Sequence, residues 1–256
     1  MGIFKDRTGE VIFNSEEDVK KKGWYKMEIV AYRSATDMDV LIDDKYLLTG
    51  QRYGNFIRRN IKNPYHRSVY GMGYIGEGKY AARDDSIYYC TWRTMIRNCC
   101  KGTRTSKILP PSDCAVIEEW HNFQTFAAWM KPNYYRLDNE RVVLNKGILL
   151  KGNELYSDKF CIFVPHKIHH LVKRGKGTLG GIPTGVTMLK NGRFQAGHGK
   201  TYIATFSTQT KAFRAFKLAK EARIRRAIDS YCGKIPEPHY TKLRDALYAY
   251  EISFDD

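Results

Sequence analysis

The chain lacks any run of about 18 consecutive apolar residues, the length that a membrane-spanning helix needs. Its first thirteen residues, MGIFKDRTGEVIF, contain no apolar core and no small-residue cleavage site, so they do not predict a secretory signal peptide. We therefore expect no membrane insertion and a location in a reducing cytoplasm.

Cysteine is scarce, and its spacing does not suggest a zinc site. The six cysteines form no Cys-x-x-Cys pair, the usual building block of such a site, and a small secreted disulfide scaffold carries more of them. We therefore expect reduced, mostly buried thiols at Cys90, Cys99, Cys100, Cys114, Cys161 and Cys232.

Acidic residues are also few in comparison with basic ones. Lysine and arginine number 43 against 27 aspartates and glutamates, which gives a formal net charge of +16. Such a charge favours a polyanionic partner, either nucleic acid or an acidic membrane surface, over a merely soluble basic protein. The chain also has 18 Tyr, 12 Phe and 4 Trp, and basic and aromatic groups together suit phosphates and bases. Nucleic acid is the preferred interpretation.

The length of 256 residues and the hydrophobic fraction of 43% suit one large domain or two to three small ones. We predict an α+β chain with a small β-barrel-like, SH3-like N-terminal module over 1–82. An HNH-like core then covers 83–173, followed by a Gly-rich linker over 174–183 and a C-terminal module over 184–256.

The N-terminal module is predicted from short alternating apolar runs. The run from Met38 to Ile42 alternates, and Asp43-Asp44 before Tyr46 predicts a hairpin turn. The run GMGYIGEGKYAA over 71–82 contains G-x-G-x-x-G. No βαβ unit surrounds this motif, so we interpret the run as a flexible junction rather than a nucleotide site.

The C-terminal module is predicted as three strands and two helices. Strands over 185–188, 193–196 and 201–205 precede a helix that Thr208 or Thr210 caps and that ends near Asp229, and a last helix runs over 240–251. The first helix has a basic face, which either grips phosphates or is solvated. Its members are Lys211, Arg214, Lys217, Lys220, Arg223, Arg225 and Arg226.

Several stretches resemble a known family. The central residues Trp92-x-x-Met95-Ile96-x-x-Cys99, Glu118-Glu119-Trp120-x-Asn122-Phe123-Gln124, Lys151-Gly152-Asn153, Tyr156-Ser157 and Cys161-x-Phe163-Val164-Pro165 resemble the phage-encoded HNH homing endonucleases. The run Arg193-Phe194-Gln195-Ala196 and the helix after it are similar to the AP2 DNA-binding domain often fused to them. The resemblance covers about residues 25 to 250.

The resemblance implies a ββα (His-Me finger) core that clamps one Mg²⁺ and activates water for phosphodiester cleavage. The family's hairpin Asp falls on Asn145, its next acid on Gly147 and its helix Asn on Phe160, while Lys146 stays beside the ligand position. An amide holds Mg²⁺ more weakly than a carboxylate does. Asn145 and Lys146 are therefore degenerate catalytic positions, and Asn145 and Asp158 are weak metal candidates.

Three histidines form a separate pattern. If they are helical, His166, His169 and His170 lie at i, i+3 and i+4, a spacing that can bind a transition metal. The other interpretation is that they line a helix after the core, where they touch DNA or pack as neutral imidazoles.

Binding needs no acid pair, because duplex affinity arises mostly from phosphate neutralisation and base edges are read by side chains. By resemblance to AP2, the sheet would lie in the major groove of double-stranded DNA, in the cytoplasm of a phage-infected bacterial host. The candidate contacts are Arg193, Gln195, Lys200, Tyr202, Lys211 and Arg214. The alternatives are an active Mg²⁺-dependent endonuclease with a remodelled site and, more remotely, a phage structural or RNA-associated protein.

Overall fold

The computed structural model describes residues 5–83, 86–100, 114–172, 181–199 and 201–254. The strands are β1 Val11–Phe13, β2 Lys26–Ser34, β3 Asp37–Ile42, β4 Tyr46–Gln51, β5 Ala115–Val116, β6 Val142–Asn145, β7 Leu155–Tyr156, β8 Ile162–Pro165, β9 Val186–Met188, β10 Phe194–His198 and β11 Thr201–Phe206. The helices are α1 Glu16–Lys22, α2 Tyr53–Ile57, α3 Ile87–Cys99, α4 Phe123–Asn133, α5 His166–Val172, α6 Gln209–Asp229 and α7 His239–Tyr248, with a 3₁₀ helix at Glu118–His121. The predicted α+β class is confirmed.

The chain divides into two compact units, Met1–Ala128 and Trp129–Asp256, and the boundary falls within α4. The predicted boundaries at 82 and 183 fall inside these units, so the three-module division stays a prediction. Of the predicted linker over 174–183, residues 174–180 lie outside the described part of the chain. None of the described helices is long and apolar enough to cross a membrane.

The first unit begins with a four-stranded antiparallel sheet in the order β1-β2-β3-β4. Alternation buries one face of the sheet, as Met38, Val40 and Ile42 on β3 illustrate. The predicted hairpin turn is present, and Asp43 and Asp44 both adopt left-handed backbone angles, with φ of 48° and 53°. This sheet packs its buried face around the indole of Trp24, whose Nε1 donates to the carbonyl of Ile61 at 2.7 Å.

Two glycines of the Gly-rich run over 71–82, Gly73 and Gly76, are packed against neighbouring residues. A Cβ atom on Gly73 would lie 2.7 Å from the Trp92 ring, so only glycine fits against α3. The Tyr74 N–H donates to the carbonyl of His121 at 2.9 Å, and the Gly76 N–H donates to the carbonyl of Pro64 at 2.9 Å. Gly73 and Gly76 therefore serve close packing within the first unit.

Helix α3 buries one apolar face, whose residues recur at i, i+3, i+4 and i+7 as helical periodicity requires: Trp92, Met95, Ile96 and Cys99. A disulfide bond joins Cys99 to Cys114. The expectation that all six cysteines are reduced is therefore wrong for this pair, because folding brings together two residues that spacing does not associate. Burial raises the pKa of the free Cys161 thiol to about 12, which keeps that thiol protonated.

The second unit contains an antiparallel pair of strands followed directly by a helix. Strand β6 pairs with β8 in a register that sets Val142 opposite Pro165 and Asn145 opposite Ile162. Helix α5 starts at His166 without an intervening loop, and the His166 N–H donates to the carbonyl of Arg141 at 2.8 Å. The start of β6 and the first residue of α5 are thereby held to one another.

The C-terminal part contains a three-stranded sheet in the order β11-β10-β9, packed on α6. The predicted cap is present, because Thr208 Oγ1 accepts the N–H of Lys211 at 3.3 Å. The predicted last helix is α7, which packs on α6 and buries Leu243 and Leu247. Sequence reasoning placed these elements to within a few residues.

The contact between sheet and helix depends on Gly185, which has φ +82°. A Cβ atom there would lie 2.2 Å from the Phe216 ring on α6. We expect Gly185→Ala to lower the free energy of unfolding by about 1–3 kcal/mol more than Gly192→Ala, because overpacking adds to the backbone strain. Gly192 is the matched control, since its φ is +76° and no atom lies within 4 Å of its Cβ position.

Urea unfolding followed by tryptophan fluorescence and circular dichroism measures the difference between these two variants. Equal losses of stability would mean that Phe216 does not approach the backbone at Gly185 as described.

Candidate nucleic-acid interface

The three-stranded sheet has one buried and one outward face, and its register assigns each side chain to one of them. Ala196 is fully buried and pairs with Val186, so this pair lies on the face that packs on α6. Gln195, the residue before Ala196, pairs with Thr187 on β9 and with Thr205 on β11. Since side chains alternate along a strand, these three residues lie on the outward face.

A bulge in β11 brings Tyr202 onto the same outward face. Ala204 pairs with Ala196 but Tyr202 pairs with Gly197, so Ile203 is the extra residue. The Tyr202 hydroxyl lies 3.2 Å from the Thr205 hydroxyl, as expected for neighbours on one face. Tyr202 is 60% exposed.

Arg193 immediately precedes β10 and is two residues from Gln195. The Asn191 side chain accepts the Arg193 N–H at 3.2 Å and fixes the turn before the strand. The Arg193 guanidinium Nη2 lies 3.5 Å from the Thr205 carbonyl oxygen, so the side chain extends across the outward face. Gln195 and Tyr202 line a groove of about 330 Å³ on this face, and Arg193 reaches the same face through its contact with Thr205. Lys200 lies outside the described residues.

The remaining candidates, Lys211 and Arg214, are exposed on α6. This helix covers the other face of the sheet, so the two basic side chains belong to a surface separate from Arg193 and Gln195. The sequence does not show which face of the sheet the helix covers, so all six candidates were grouped as contacts of one DNA-binding surface.

Several cations of α6 are engaged within the protein. Lys217 contacts Glu221 at 3.6 Å and Glu251 at 3.5 Å, and Lys220 is only 6% exposed. Arg223 Nη1 lies 3.0 Å from His198 Nδ1. Burial lowers the pKa of His198, and the nearby Arg223 and Lys220 lower it further, so the ring is neutral near pH 7 and accepts this bond. These contacts favour an internal structural role for part of the basic face.

Asn145, on which the family's hairpin Asp falls by resemblance, ends strand β6. Its side-chain oxygen Oδ1 accepts the N–H of Gly147 at 2.8 Å and the N–H of Ile148 at 2.9 Å. An amide oxygen has two lone pairs, and both are used here. The side chain therefore caps the following turn and offers no oxygen lone pair to a cation.

The amide nitrogen of Asn145 faces His169 on α5, with Nδ2 3.0 Å from His169 Nδ1. Because Oδ1 is assigned as the acceptor of two N–H groups, Nδ2 is the donor and His169 Nδ1 the acceptor. His169 is thus the helix residue that faces the end of β6. Phe160, on which the family's helix Asn falls by resemblance, lies in the turn before β8 and not in a helix.

The sequence identified His169 only as one of three histidines at helical spacing. In an antiparallel pair the second strand ends beside the start of the first, so α5 begins next to Arg141 and runs back until His169 contacts Asn145. That contact depends on the packing of α5 on the two strands.

Lys146 follows Asn145 and is paired rather than directed at open solvent. Its Nζ contacts the Glu154 carboxylate and the carbonyl of Asn153, and its side chain is only 19% exposed. A cleft of about 380 Å³ is lined by Lys146, Asn153, Glu154, Asn145 and His169. Glu154 supplies the carboxylate of this cleft. Asp158 lies outside the lining of this cleft.

The residues present therefore do not fit Mg²⁺, which prefers several hard oxygen ligands. The Asn145 oxygen is saturated and the Glu154 carboxylate is neutralised by Lys146. Within the described ranges, no three His, Cys, Asp or Glu side chains come together as a metal cluster.

Comparisons of the chain with protein-family models, with curated proteins and with solved structures found no match. The resemblance to HNH homing endonucleases therefore rests on the residue pattern given above.

We expect Asn145→Ala to lower the free energy of unfolding by about 1–2 kcal/mol, because two backbone N–H groups lose their acceptor. Asn145→Asp keeps an acceptor oxygen and should cost less. The new carboxylate should also raise the pKa of His169, since an anion stabilises the imidazolium form.

Urea unfolding and a histidine NMR titration measure these two effects. The exposed Asn139→Ala is the control and should change stability by less than about 0.5 kcal/mol. If Asn145→Ala were as stable as Asn139→Ala, the capping role would be refuted.

Proposed function

We propose that the chain binds double-stranded DNA through the outward face of its three-stranded sheet and that it descends from an HNH homing endonuclease whose cleavage is lost. The observation that carries this proposal is the convergence of Arg193, Gln195 and Tyr202 on the face opposite α6. Arginine, glutamine and tyrosine are residue types that can contact bases or phosphates, and here all three project from one face of the sheet.

The dimensions of the sheet support insertion into the major groove. Three strands about 4.8 Å apart span roughly 10 Å between the outer strands, and the groove is about 12 Å wide. On this model the guanidinium of Arg193 pairs with a guanine edge and the amide of Gln195 with an adenine edge. Tyr202 contributes a hydroxyl and an exposed ring at the rim.

The finer fold assignments belong to the same proposal. The C-terminal sheet and α6 would form an AP2-like module, β6, β8 and α5 a ββα core, and the N-terminal sheet an SH3-like module. The direct succession of β8 and α5 supports the second assignment, as does the contact between His169 of α5 and Asn145 at the end of β6.

The loss of cleavage is inferred from the chemistry of the same cleft. Asn145 uses its side chain to hold a turn, and the Lys146–Glu154 ion pair neutralises the carboxylate that lines the cleft. Such a core would position the chain on DNA without hydrolysing it. One observation favours the alternative of an active enzyme, namely that Glu154 and His169 line the same cleft.

We expect Arg193→Ala to weaken binding to a preferred duplex about tenfold or more, since a bidentate base contact contributes about 1–3 kcal/mol. Preferred sequences are first selected from a pool of random duplexes, and fluorescence anisotropy then measures affinity over a salt series. Arg226→Ala is the control, because it removes the same charge from an exposed position of α6.

Equal losses in the two variants would mean that only net charge matters and would contradict readout by the sheet. Tighter binding to an RNA duplex of the same sequence would favour the RNA-associated alternative.

We expect no nicking of supercoiled plasmid by the purified chain in the presence of Mg²⁺ or Mn²⁺. The physical reason is the missing oxygen ligand at Asn145. Gel electrophoresis of the plasmid over time is the measurement, with Lys146→Ala as the matched variant. Nicked product that appears with the wild type and vanishes with Lys146→Ala would restore the enzyme interpretation.

A further inference from the structure

Helix α5 presents histidines on two different sides. His169 lines the cleft at Asn145, whereas His166 and His170 line a separate cavity of about 950 Å³ in the same unit. His166 and His170 are one helical turn apart, at i and i+4, so their side chains lie on one face. The second cavity is not used by the proposed DNA contacts.

The two imidazoles converge through the same type of nitrogen. The Nε2 atoms of His166 and His170 lie 3.1 Å apart, the ring centroids are 4.3 Å apart, and the ring planes are nearly perpendicular at 88°. His166 is half-buried and His170 is exposed, so solvent reaches the point at which the nitrogens meet.

This separation matches a chelate. Two nitrogens that each lie about 2.0–2.1 Å from one Zn²⁺, at an angle between roughly 90° and 110°, are about 2.9–3.4 Å apart. From this geometry we propose that His166 and His170 together bind one divalent transition metal ion of the Cu²⁺, Ni²⁺ or Zn²⁺ class. Both nitrogens already lie at chelating separation, and a bound ion would replace the hydrogen bond between them.

The neighbourhood decides what kind of metal site this is. Glu140 lines the same cavity, but one of its carboxylate oxygens accepts the Lys167 N–H at 2.7 Å and the other accepts the Tyr231 hydroxyl. Within the part of the chain that the structure describes, no third His, Cys, Asp or Glu completes a cluster. Water therefore fills the remaining positions, and the site is an accessible two-histidine chelate rather than a closed structural zinc site.

The choice of metal follows from the ligands. Imidazole nitrogens suit Cu²⁺, Ni²⁺ and Zn²⁺, whereas Mg²⁺ and Ca²⁺ prefer oxygen, and affinity rises from Ni²⁺ to Cu²⁺ and falls again at Zn²⁺. The bound ion would join two consecutive turns of a helix that is only seven residues long. It would stabilise the folded unit as the metal concentration rises, because the unfolded chain does not hold the two nitrogens together.

The test is metal binding by the full chain without an affinity tag. Isothermal titration with Ni²⁺, Cu²⁺, Zn²⁺ and Mg²⁺ is compared for the wild type, His166→Ala, His170→Ala and His169→Ala. We expect one equivalent of Ni²⁺ or Cu²⁺ in the wild type, an affinity at least about tenfold lower in the first two variants, and little change in His169→Ala. Mg²⁺ should not bind at this pair.

His169→Ala is a sharp control, because it removes the same side chain from the same helix on the side of the Asn145 cleft. The Cu²⁺ complex should also give an electron paramagnetic resonance spectrum with nitrogen couplings that are lost in His170→Ala. Circular dichroism checks folding, and His170→Gln replaces His170→Ala if the alanine variant unfolds. Any binding at the exposed Cys232 is common to all variants and cancels in the comparison.

Three outcomes would overturn the proposal. The first is that the wild type binds none of the transition metals, which would leave a simple hydrogen bond between the two rings. The second is equal affinity in all four proteins. The third is selective loss in His169→Ala, which would place the metal at Asn145. None of these outcomes decides whether the sheet binds DNA, so the two proposals fail separately.

Discussion

The packing of α6 on the C-terminal sheet is the constraint on which the proposed interface depends. Ala196 and Gly185 have little or no side chain, and this lets the sheet approach Phe216 closely. Once that face is buried, alternation forces Gln195 to the opposite one. The bulge at Ile203 then turns Tyr202 outward as well. A surface with an arginine, an amide and a phenol is therefore a consequence of how the core beneath it packs.

Asn145 illustrates how one side chain sets the chemistry of a site through the hydrogen bonds that it makes. An asparagine can accept two N–H groups and donate to His169 at the same time, which a carboxylate cannot do without a proton. The amide thus stabilises the turn after β6 and the contact with α5. The same bonds use the lone pairs that a cation would need. Structural capping and metal binding compete for one oxygen at this position.

The positive charge of the chain is distributed between different uses. Lys146 neutralises Glu154, Lys217 pairs with Glu221 and Glu251, and Arg223 donates to a neutral His198. These cations hold elements together. Arg193 instead extends across an exposed sheet face. The carboxylates of these pairs are already subtracted in the formal charge of +16, so pairing fixes the positions of these cations without lowering the net charge.

By itself, the sequence determined the elements that depend on local periodicity and capping. Examples are the buried face of α3, the Asp43-Asp44 turn, the Thr208 cap and the positions of the three C-terminal strands along the chain. It did not determine which residues meet across the fold. The Cys99–Cys114 disulfide, the packing of Gly73 on Trp92 and the pairing of Asn145 with His169 join residues between 15 and 24 positions apart. Such contacts depend on long-range register, and local spacing carries no information about it.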